Sequence, residues 1–188
     1  MNEHHKTKEQ IRAEEVEIES AKKDPERFSV LYDRYFKSIF VFIFRRTDDE
    51  ELTADLSQHV FLKAMVNLPR YKSRGLPFSA WLFRIALNEV NMYFRNTNKE
   101  RTVSLELNAL GGMIAEAKEE DNEENRKLLM IALGRLKPDE IQLIELRFFE
   151  EHAFAEIGAI TGITENNAKV KLYRVLSKLK EMLKGKLS

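Results

Sequence analysis

The sequence predicts an all-α protein with two small helical domains joined by a flexible acidic linker. Apolar residues recur at steps of three and four along most of the chain, and no run keeps the two-residue alternation of a β-strand. A length of 188 residues accommodates one or two such domains. Between positions 102 and 125 the helical pattern fades into Gly111-Gly112 and an acidic stretch, so we expect the two domains to move independently.

The chain begins with a charged extension, residues 1–24, whose thin apolar stripe predicts a helix from Ile11 to Lys23. The first domain follows, residues 25–101. Pro25 stands at a plausible helix start, and large apolar side chains then repeat at helical spacing from Phe28 to Ile43.

An acidic cluster and a basic loop separate the next elements of this domain. Asp48–Glu51 suits the positive end of a third helix, which we expect over Leu52–Leu68. A loop over Pro69–Pro77 contains Gly75 and leads into a long fourth helix that ends near Arg101.

The fourth helix has two different faces. One is an apolar stripe that we expect to be buried: Leu82, Ile85, Ala86, Val90 and Tyr93. The other carries Trp81, Arg84, Asn88 and Arg95. Rings stack on unpaired bases, amides bind base edges and cations neutralise phosphates, so this face suits single-stranded nucleic acid. The alternative is the solvated face of an ordinary amphipathic helix.

Residues 126–188 predict a second helical domain in which Pro138 opens one helix and a helix-turn-helix follows. Gly162 provides the turn, and Thr164 can cap the last helix. Five polar or aromatic side chains remain outside the apolar stripe of that helix: Asn167, Lys169, Lys171, Tyr173 and Arg174. They occupy the part of a recognition helix that enters the major groove. The alternative is a helical hairpin with a lysine-rich solvated face.

Charge is balanced overall but segregated along the chain. The 31 basic and 31 acidic residues give no net charge, which argues against avid binding of duplex DNA by the whole chain. Seven cations nevertheless lie between Arg70 and Arg101, and seven more follow Thr164. Six acids lie between these two clusters, from Glu116 to Glu124. The pattern indicates two separate basic patches.

Composition argues against several other classes of protein. Without cysteine, the chain has neither a disulfide framework nor a thiolate metal site, and a reducing cytoplasm fits best. The N-terminus lacks the apolar core of a signal peptide, and no apolar run approaches the roughly 20 residues that span a membrane. The four histidines lack zinc-site spacing, and no glycine-rich phosphate loop is present. We therefore expect no catalytic residue, metal, cofactor or membrane insertion.

Three segments together resemble the extracytoplasmic-function (ECF) sigma factors of bacterial RNA polymerase. FSVLYDRYFKSIFVFIFRRT with ADLSQHVFLKAMVNL resembles the first half of the sigma two domain, and YKSRGLPFSAWLFRIALNEVNMYFR resembles its DNA-melting half. LKPDEIQLIELRFFEEHAFAEIGAITGITENNAKVKLYRVLSKLK resembles the sigma four domain. The resemblance implies a factor that binds polymerase core, reads the minus-thirty-five duplex with its helix-turn-helix and melts the minus-ten element with sigma two.

The resemblance also implies where the polymerase docks. Asp55, Gln58 and Phe61 match the helix that binds the clamp helices of the largest subunit, and we expect an exposed apolar and aromatic surface around Phe61. Ala54 and His59 depart from the family pattern, because acidic residues usually occupy these positions.

The minus-ten element is assigned to the loop and the fourth helix. Tyr71 matches the stacking platform for a flipped base, and Asn88 lies where the family contacts the unpaired strand. The basic residues around them complete this set: Lys72, Arg74, Arg84 and Arg95. Trp81 matches the usual tryptophan of the family, with a core role as the alternative. In the last helix, the outward residues match the minus-thirty-five reader, and Val170 replaces a common small polar residue.

The resemblance also predicts the binding partners of the protein, and one rival function is set against it. The resemblance implies binding to RNA polymerase core through its clamp helices and flap, binding to promoter DNA, and inhibition by an anti-sigma factor. The acidic linker would run through the polymerase cleft and mimic nucleic acid there, or serve as a solvated tether. The rival function is a stand-alone helix-turn-helix regulator with an N-terminal sensing or dimerisation domain. Binding to an unpaired minus-ten strand discriminates the two.

Overall fold

A computed structural model describes residues 6–97 and 123–184. Within these ranges the chain forms eight α-helices and two short 3-10 turns, and no strand, so the all-α prediction is confirmed for the described residues. Most of the predicted linker lies outside the described residues, as do positions 98–101. The last part of the predicted linker is helical, since a helix begins at Glu123 and the predicted linker extends to Asn125.

The helices follow the predicted order, with ends shifted by a few residues. They are α1 (Lys8–Lys23), α2 (Phe28–Thr47), α3 (Glu50–Asn67), α4 (Phe78–Thr97), α5 (Glu123–Leu133), α6 (Pro138–Phe148), α7 (Phe154–Thr161) and α8 (Glu165–Lys184). The chain divides into two compact units. The first is built on α1 to α4, and the second holds nearly all of α5 to α8.

Capping side chains set the ends of the first helices. The Thr7 side chain accepts a hydrogen bond from the Gln10 amide, and the Gln10 side chain accepts one from the Thr7 amide, which closes a capping box before α1. Pro25 does not open α2 directly, because residues 25–27 form a 3-10 turn. Asp48 ends α2 in the left-handed region, at φ 50°, and Asp49 caps α3 through the Leu52 amide.

The core of the first unit lies between α2, α3 and α4, and α1 packs against α2. Its members are large aliphatic and aromatic side chains with little or no exposed surface: Ile18, Leu31, Ile39, Phe42, Ile43, Val60, Leu68, Phe78, Leu82, Phe83 and Val90. Burial of such side chains from several helices makes this unit a helical bundle with its own core.

In the second unit, α8 packs against α5 and α6. Its buried side chains include Leu133, Ile141, Leu146, Ile157, Ala168, Leu172, Val175 and Leu179. Six residues were expected in the apolar stripe of α8. Ala168, Leu172, Val175 and Leu179 are buried as predicted, while Leu176 and Leu183 are only half-buried.

The turn between α7 and α8 depends on two glycines. Gly162 has φ +76°, a conformation that other residues rarely adopt. Gly158 is required for a different reason, because a Cβ atom there would lie 2.8 Å from the backbone oxygen of Ile163. Thr164 caps α8 as predicted, since its hydroxyl accepts a hydrogen bond of 3.2 Å from the Asn167 amide. These contacts confirm the helix-turn-helix formed by α7 and α8.

Candidate nucleic-acid interfaces

The two faces of α4 lie as predicted. Arg84, Asn88 and Arg95 are exposed, and Trp81 is half-buried between them and the core. Leu82, Ala86 and Val90 are fully buried on the opposite side, while Ile85 and Tyr93 are half-buried at its edge. The cations and the amide are thus free to meet a ligand from solvent, with an aromatic ring beside them.

Three aromatic rings cluster where the loop meets α4. The Tyr71 ring lies 4.8 Å from Trp81 and 5.2 Å from Phe78, centroid to centroid, and Phe78 lies 5.3 Å from Trp81. Burial, and then the negative charge of Glu14, raises the pKa of the Tyr71 hydroxyl to about 12. Tyr71 is therefore a neutral, half-buried ring at neutral pH. Trp81 packs in this cluster, in agreement with the core role, and also lines an open groove.

The groove has a volume of 370 Å³ and lies between α3 and α4. Tyr71, Trp81 and Asn88 line it together with Arg70 of the predicted basic cluster and Ile85, which was expected in the buried stripe. Three further lining residues had no predicted role: Lys63, Asn67 and Glu89. Lys63 Nζ donates a hydrogen bond of 2.6 Å to the buried Glu89 carboxylate across the groove. Stacking surface, amides and cations therefore meet in one concave site.

The loop supplies an exposed basic rim. Lys72 and Arg74 are both exposed, and Gly75 at φ +73° lets the chain reverse direction before α4. Tyr71 ends the preceding 3-10 turn, where its amide donates to the Leu68 oxygen at 3.0 Å. The six residues predicted for the minus-ten site thus lie on this loop and on α4.

The predicted docking surface on α3 is only partly present. Asp55 and Gln58 are exposed, three residues apart on one face. The expectation that Phe61 projects from this surface is wrong. Its side chain is 4% exposed and packs against Tyr32 and Phe36, with ring centroids 4.8 Å and 6.1 Å away.

Leu62 takes the exposed position that Phe61 was expected to fill. Its side chain is 54% exposed, and Met65 and Val66 extend the apolar surface along α3. With Asp55 and Gln58, these three residues form a mixed polar and apolar stripe, which we call the α3 stripe. Such a stripe resembles the surfaces that proteins use to bind one another.

All five residues predicted to face DNA on the last helix are exposed: Asn167, Lys169, Lys171, Tyr173 and Arg174. Val170, the departure from the family pattern, is also exposed, at 39%. These side chains lie in the N-terminal half of α8, directly after the turn, which is the geometry of a recognition helix.

Contacts within the second unit orient this face. Phe154 lies 6.3 Å from the exposed Tyr173 ring, and the Arg147 guanidinium lies 5.0 Å from the centre of Phe154. Arg147 also donates a hydrogen bond of 2.9 Å to the His152 oxygen. Lys178 Nζ donates a hydrogen bond of 2.7 Å to the Glu140 carboxylate, so this lysine ties α8 to α6.

Two kinds of feature are absent from the described part of the chain. No three acidic or histidine side chains there gather closely enough to hold a metal ion. None of the described helices combines the length and apolar character needed to cross a membrane.

A helix-turn-helix in one unit and an aromatic groove with a basic rim in the other define a two-domain DNA-binding protein. Two family models match the chain, one in each unit. The model for Sigma-70 region 2 matches residues 31–100, and the model for Sigma-70, region 4 matches residues 126–179.

Curated relatives extend these matches across both units. RNA polymerase sigma factor CarQ of Myxococcus xanthus is 31% identical over 158 residues, which cover 83% of this chain and 88% of CarQ. ECF RNA polymerase sigma factor BldN of Streptomyces coelicolor is 27% identical over 167 residues, which cover 85% of this chain and 61% of BldN. The chain belongs to the sigma-70 family of RNA polymerase sigma factors, in its ECF group. A stand-alone regulator finds no support, because the family matches include the first unit.

Solved structures share the fold. CnrH in complex with the cytosolic domain of CnrY matches with a TM-score of 0.61 at 22% identity, over 90% of this chain and 96% of that chain. The sigma factor RpoE, in a co-crystal with the anti-sigma factor NepR from Bartonella quintana, matches with a TM-score of 0.56 at 21% identity, over 84% of this chain and 96% of that chain.

Proposed function

We propose that this sigma factor binds core RNA polymerase and directs initiation at promoters whose two elements it reads with different units. One observation carries the proposal: a single chain that matches both sigma-70 regions has an aromatic groove in one unit and an exposed basic recognition helix in the other. The first surface suits unpaired bases and the second suits the major groove of a duplex.

In this proposal the groove between α3 and α4 receives the unpaired minus-ten strand. Tyr71 and Trp81 provide stacking surface, Asn88 binds a base edge, and the exposed cations of the loop and helix neutralise phosphates. These cations are Lys72, Arg74, Arg84 and Arg95. Each step uses a side chain that is exposed or lines the groove.

The minus-thirty-five duplex is assigned to α8. Lys169, Lys171 and Arg174 supply the charge that draws the helix into the major groove, and the exposed Asn167 and Tyr173 add polar contacts. Because each unit presents only a few cations and the chain has no net charge, the free protein should bind duplex DNA weakly.

The α3 stripe is the proposed docking surface for the clamp helices of the polymerase, with Asp55 and Gln58 as polar contacts and Leu62 as the apolar one. The second unit is proposed to contact the flap. An anti-sigma factor is a further proposed partner, since the structurally similar RpoE was solved with one. The protein then acts in the cytoplasm as a regulator of polymerase without a catalytic centre of its own.

Reconstitution with purified core polymerase tests the proposal. Core plus this protein should start transcripts at defined sites, and permanganate should modify unpaired thymines of the minus-ten element. Core alone serves as the control and should do neither. The free protein should shift promoter duplex only weakly at physiological salt. Tight, sequence-specific binding by the free protein, or no core-dependent initiation at any promoter of its genome, would contradict the proposal.

A further inference from the structure

The helix α1 lies before the residues that match the family model, yet it contacts the start of the minus-ten surface. Glu14 of α1 is buried, with 3% of its surface exposed. Its Oε2 atom accepts a hydrogen bond of 3.0 Å from the backbone amide of Phe78, the first residue of α4. The two residues are 64 positions apart in sequence, so this is a tertiary contact and not a local cap.

A carboxylate is well suited to that position. The first amides of a helix have no partner within the helix, and this end of the helix carries partial positive charge. A negatively charged acceptor therefore binds an unpaired amide and also offsets the positive charge. The other oxygen of Glu14 accepts hydrogen bonds from the Lys6 ammonium and the Tyr35 hydroxyl, and Arg34 lies 3.6 Å away. The buried charge is thereby compensated and its orientation is fixed.

Lys22, in the last turn of α1, makes a second hydrogen bond to the backbone of the aromatic cluster. Its Nζ atom donates a hydrogen bond of 2.8 Å to the backbone oxygen of Tyr71. Tyr35, which holds Glu14, also lies 6.1 Å from Phe78, ring centroid to ring centroid. Two residues of α1, Glu14 in its middle and Lys22 in its last turn, therefore bond to the backbone of the aromatic cluster, at Phe78 and at Tyr71.

We infer that α1 is a positioning element for the capture of the minus-ten strand, with Glu14 and Lys22 as its positioning residues. They act through the backbone of Phe78 and Tyr71, which sets the distance and angle between the Tyr71 and Trp81 rings. The inference rests on the proposed function, because the cluster matters only if it receives the unpaired strand. It predicts that α1 affects strand opening and leaves recognition of the duplex unchanged.

Trp81 gives a direct readout, since it is the single tryptophan of the chain and lies in the cluster. Three full-length variants are compared with the wild type: Glu14→Gln, Lys22→Met and, as the matched control, Glu9→Gln, an exposed glutamate of the same helix. Lys22→Arg keeps a donor and serves as the rescue variant. The measurements are Trp81 emission, thermal unfolding, closed-complex affinity with core, and the rate at which permanganate-reactive thymines appear.

Glu14→Gln and Lys22→Met should slow promoter opening by about tenfold, the effect expected from one lost charge-assisted hydrogen bond. Their Trp81 emission should change, closed-complex affinity should stay at the wild-type value, and Lys22→Arg should open promoters faster than Lys22→Met. Glu9→Gln should match the wild type in every measurement. If Glu14→Gln does not fold, Lys22→Met decides.

The inference would be overturned if Lys22→Met and folded Glu14→Gln opened promoters at the wild-type rate and had wild-type Trp81 emission. It would also be overturned if these variants lost closed-complex affinity by the same factor as promoter opening. Failure of the proposed function looks different, because the wild type itself would then fail to open any promoter with core.

Discussion

The Lys63 ammonium on α3 lies 2.6 Å from the Glu89 carboxylate on α4 and joins the two walls of the groove between these helices. Glu89 is 7% exposed at its side chain, whereas Lys63 is 46% exposed. The acid therefore depends on the lysine for compensation of its charge, while the lysine can be hydrated without it.

Substitution of Lys63 alone should therefore lower the free energy of unfolding more than substitution of Lys63 and Glu89 together. Lys63→Met leaves a buried carboxylate without its donor, and we expect a loss of about 1–2 kcal/mol in the free energy of unfolding. The double variant Lys63→Met/Glu89→Gln should recover part of that loss. Urea unfolding of the three proteins measures it, and a double variant less stable than Lys63→Met would show that Glu89 has another essential partner.

Phe61 and Leu62 are neighbours in sequence with opposite expected roles. Phe61→Ala should lower the free energy of unfolding by about 3–5 kcal/mol, because it leaves a cavity beside Tyr32 and Phe36. Leu62→Ala should change stability by less than about 0.5 kcal/mol. It should instead weaken binding to core polymerase, as should Asp55→Lys.

Binding of labelled protein to core, measured beside thermal unfolding, separates these effects. Glu26→Lys, a charge reversal at an exposed position outside the α3 stripe, is the control and should bind like the wild type. Unchanged core affinity in both Leu62→Ala and Asp55→Lys would remove the α3 stripe from the docking surface.

The turn of the helix-turn-helix should tolerate alanine differently at its two glycines. Gly158→Ala places a methyl group against the backbone of Ile163 and should destabilise the second unit by about 1–3 kcal/mol. Gly162→Ala meets no atom within 4 Å and has only the cost of its positive φ, about 1 kcal/mol. Hydrogen exchange of α7 and α8 amides measures both. Equal protection in Gly158→Ala and the wild type would contradict the close approach.

Tyr71 should make stability depend on pH in the alkaline range. An unfolded tyrosine has a pKa of about 10, whereas burial raises that of folded Tyr71 to about 12. The folded state thus holds the proton more tightly, so this stabilisation is complete below about pH 10 and is lost as pH rises towards 12. Tyr71→Phe should lose less stability over that interval than the wild type in denaturant unfolding.

Exposed Tyr173→Phe is the control for this titration and should follow the wild type. Buried Tyr35 also has a raised pKa, because of burial and its hydrogen bond to Glu14, so some alkaline loss should remain in Tyr71→Phe. Identical pH profiles for Tyr71→Phe and the wild type would show that the Tyr71 hydroxyl is not protected by folding.

The sequence predicted the faces of α4 and α8 well because each has one apolar stripe at helical spacing. The same reasoning failed for α3. Apolar side chains occur on both of its sides, with Val60 and Phe61 buried but Leu62 and Val66 exposed, so spacing alone does not identify the inner face. Only the positions of Tyr32 and Phe36 on α2 explain why Phe61 is covered.

Buried carboxylates were the other feature that sequence reasoning missed. Glu14 lies in a charged segment and Glu89 lies beside the exposed Asn88, and in both places an acid is normally expected at the surface. Their burial is stable because Tyr35 and Lys63, distant in sequence, supply the compensating hydrogen bonds. Such pairs become visible only when the helices are packed, and both border the minus-ten surface.

The two proposed DNA-reading surfaces should fail in different ways when each is altered. Lys171→Ala and Arg174→Ala remove exposed cations from α8 and should weaken closed-complex binding by about 1–3 kcal/mol where the side chain contacts a base. Asn88→Ala removes an amide from the groove wall and should leave the closed complex intact while reducing promoter opening.

Gel shift with core at low temperature measures the closed complex, and permanganate footprinting at growth temperature measures opening. Lys180→Ala is the matched control for α8 and Asn96→Ala for α4, since both are exposed on the same helices towards their C-terminal ends. We expect both controls to retain nearly wild-type values, because neither lies in the groove or beside the turn. The separation of duplex and single-strand readers requires that the two sets of variants differ. Equal loss of closed-complex binding in Asn88→Ala and Arg174→Ala would mean that both surfaces act on the same DNA element.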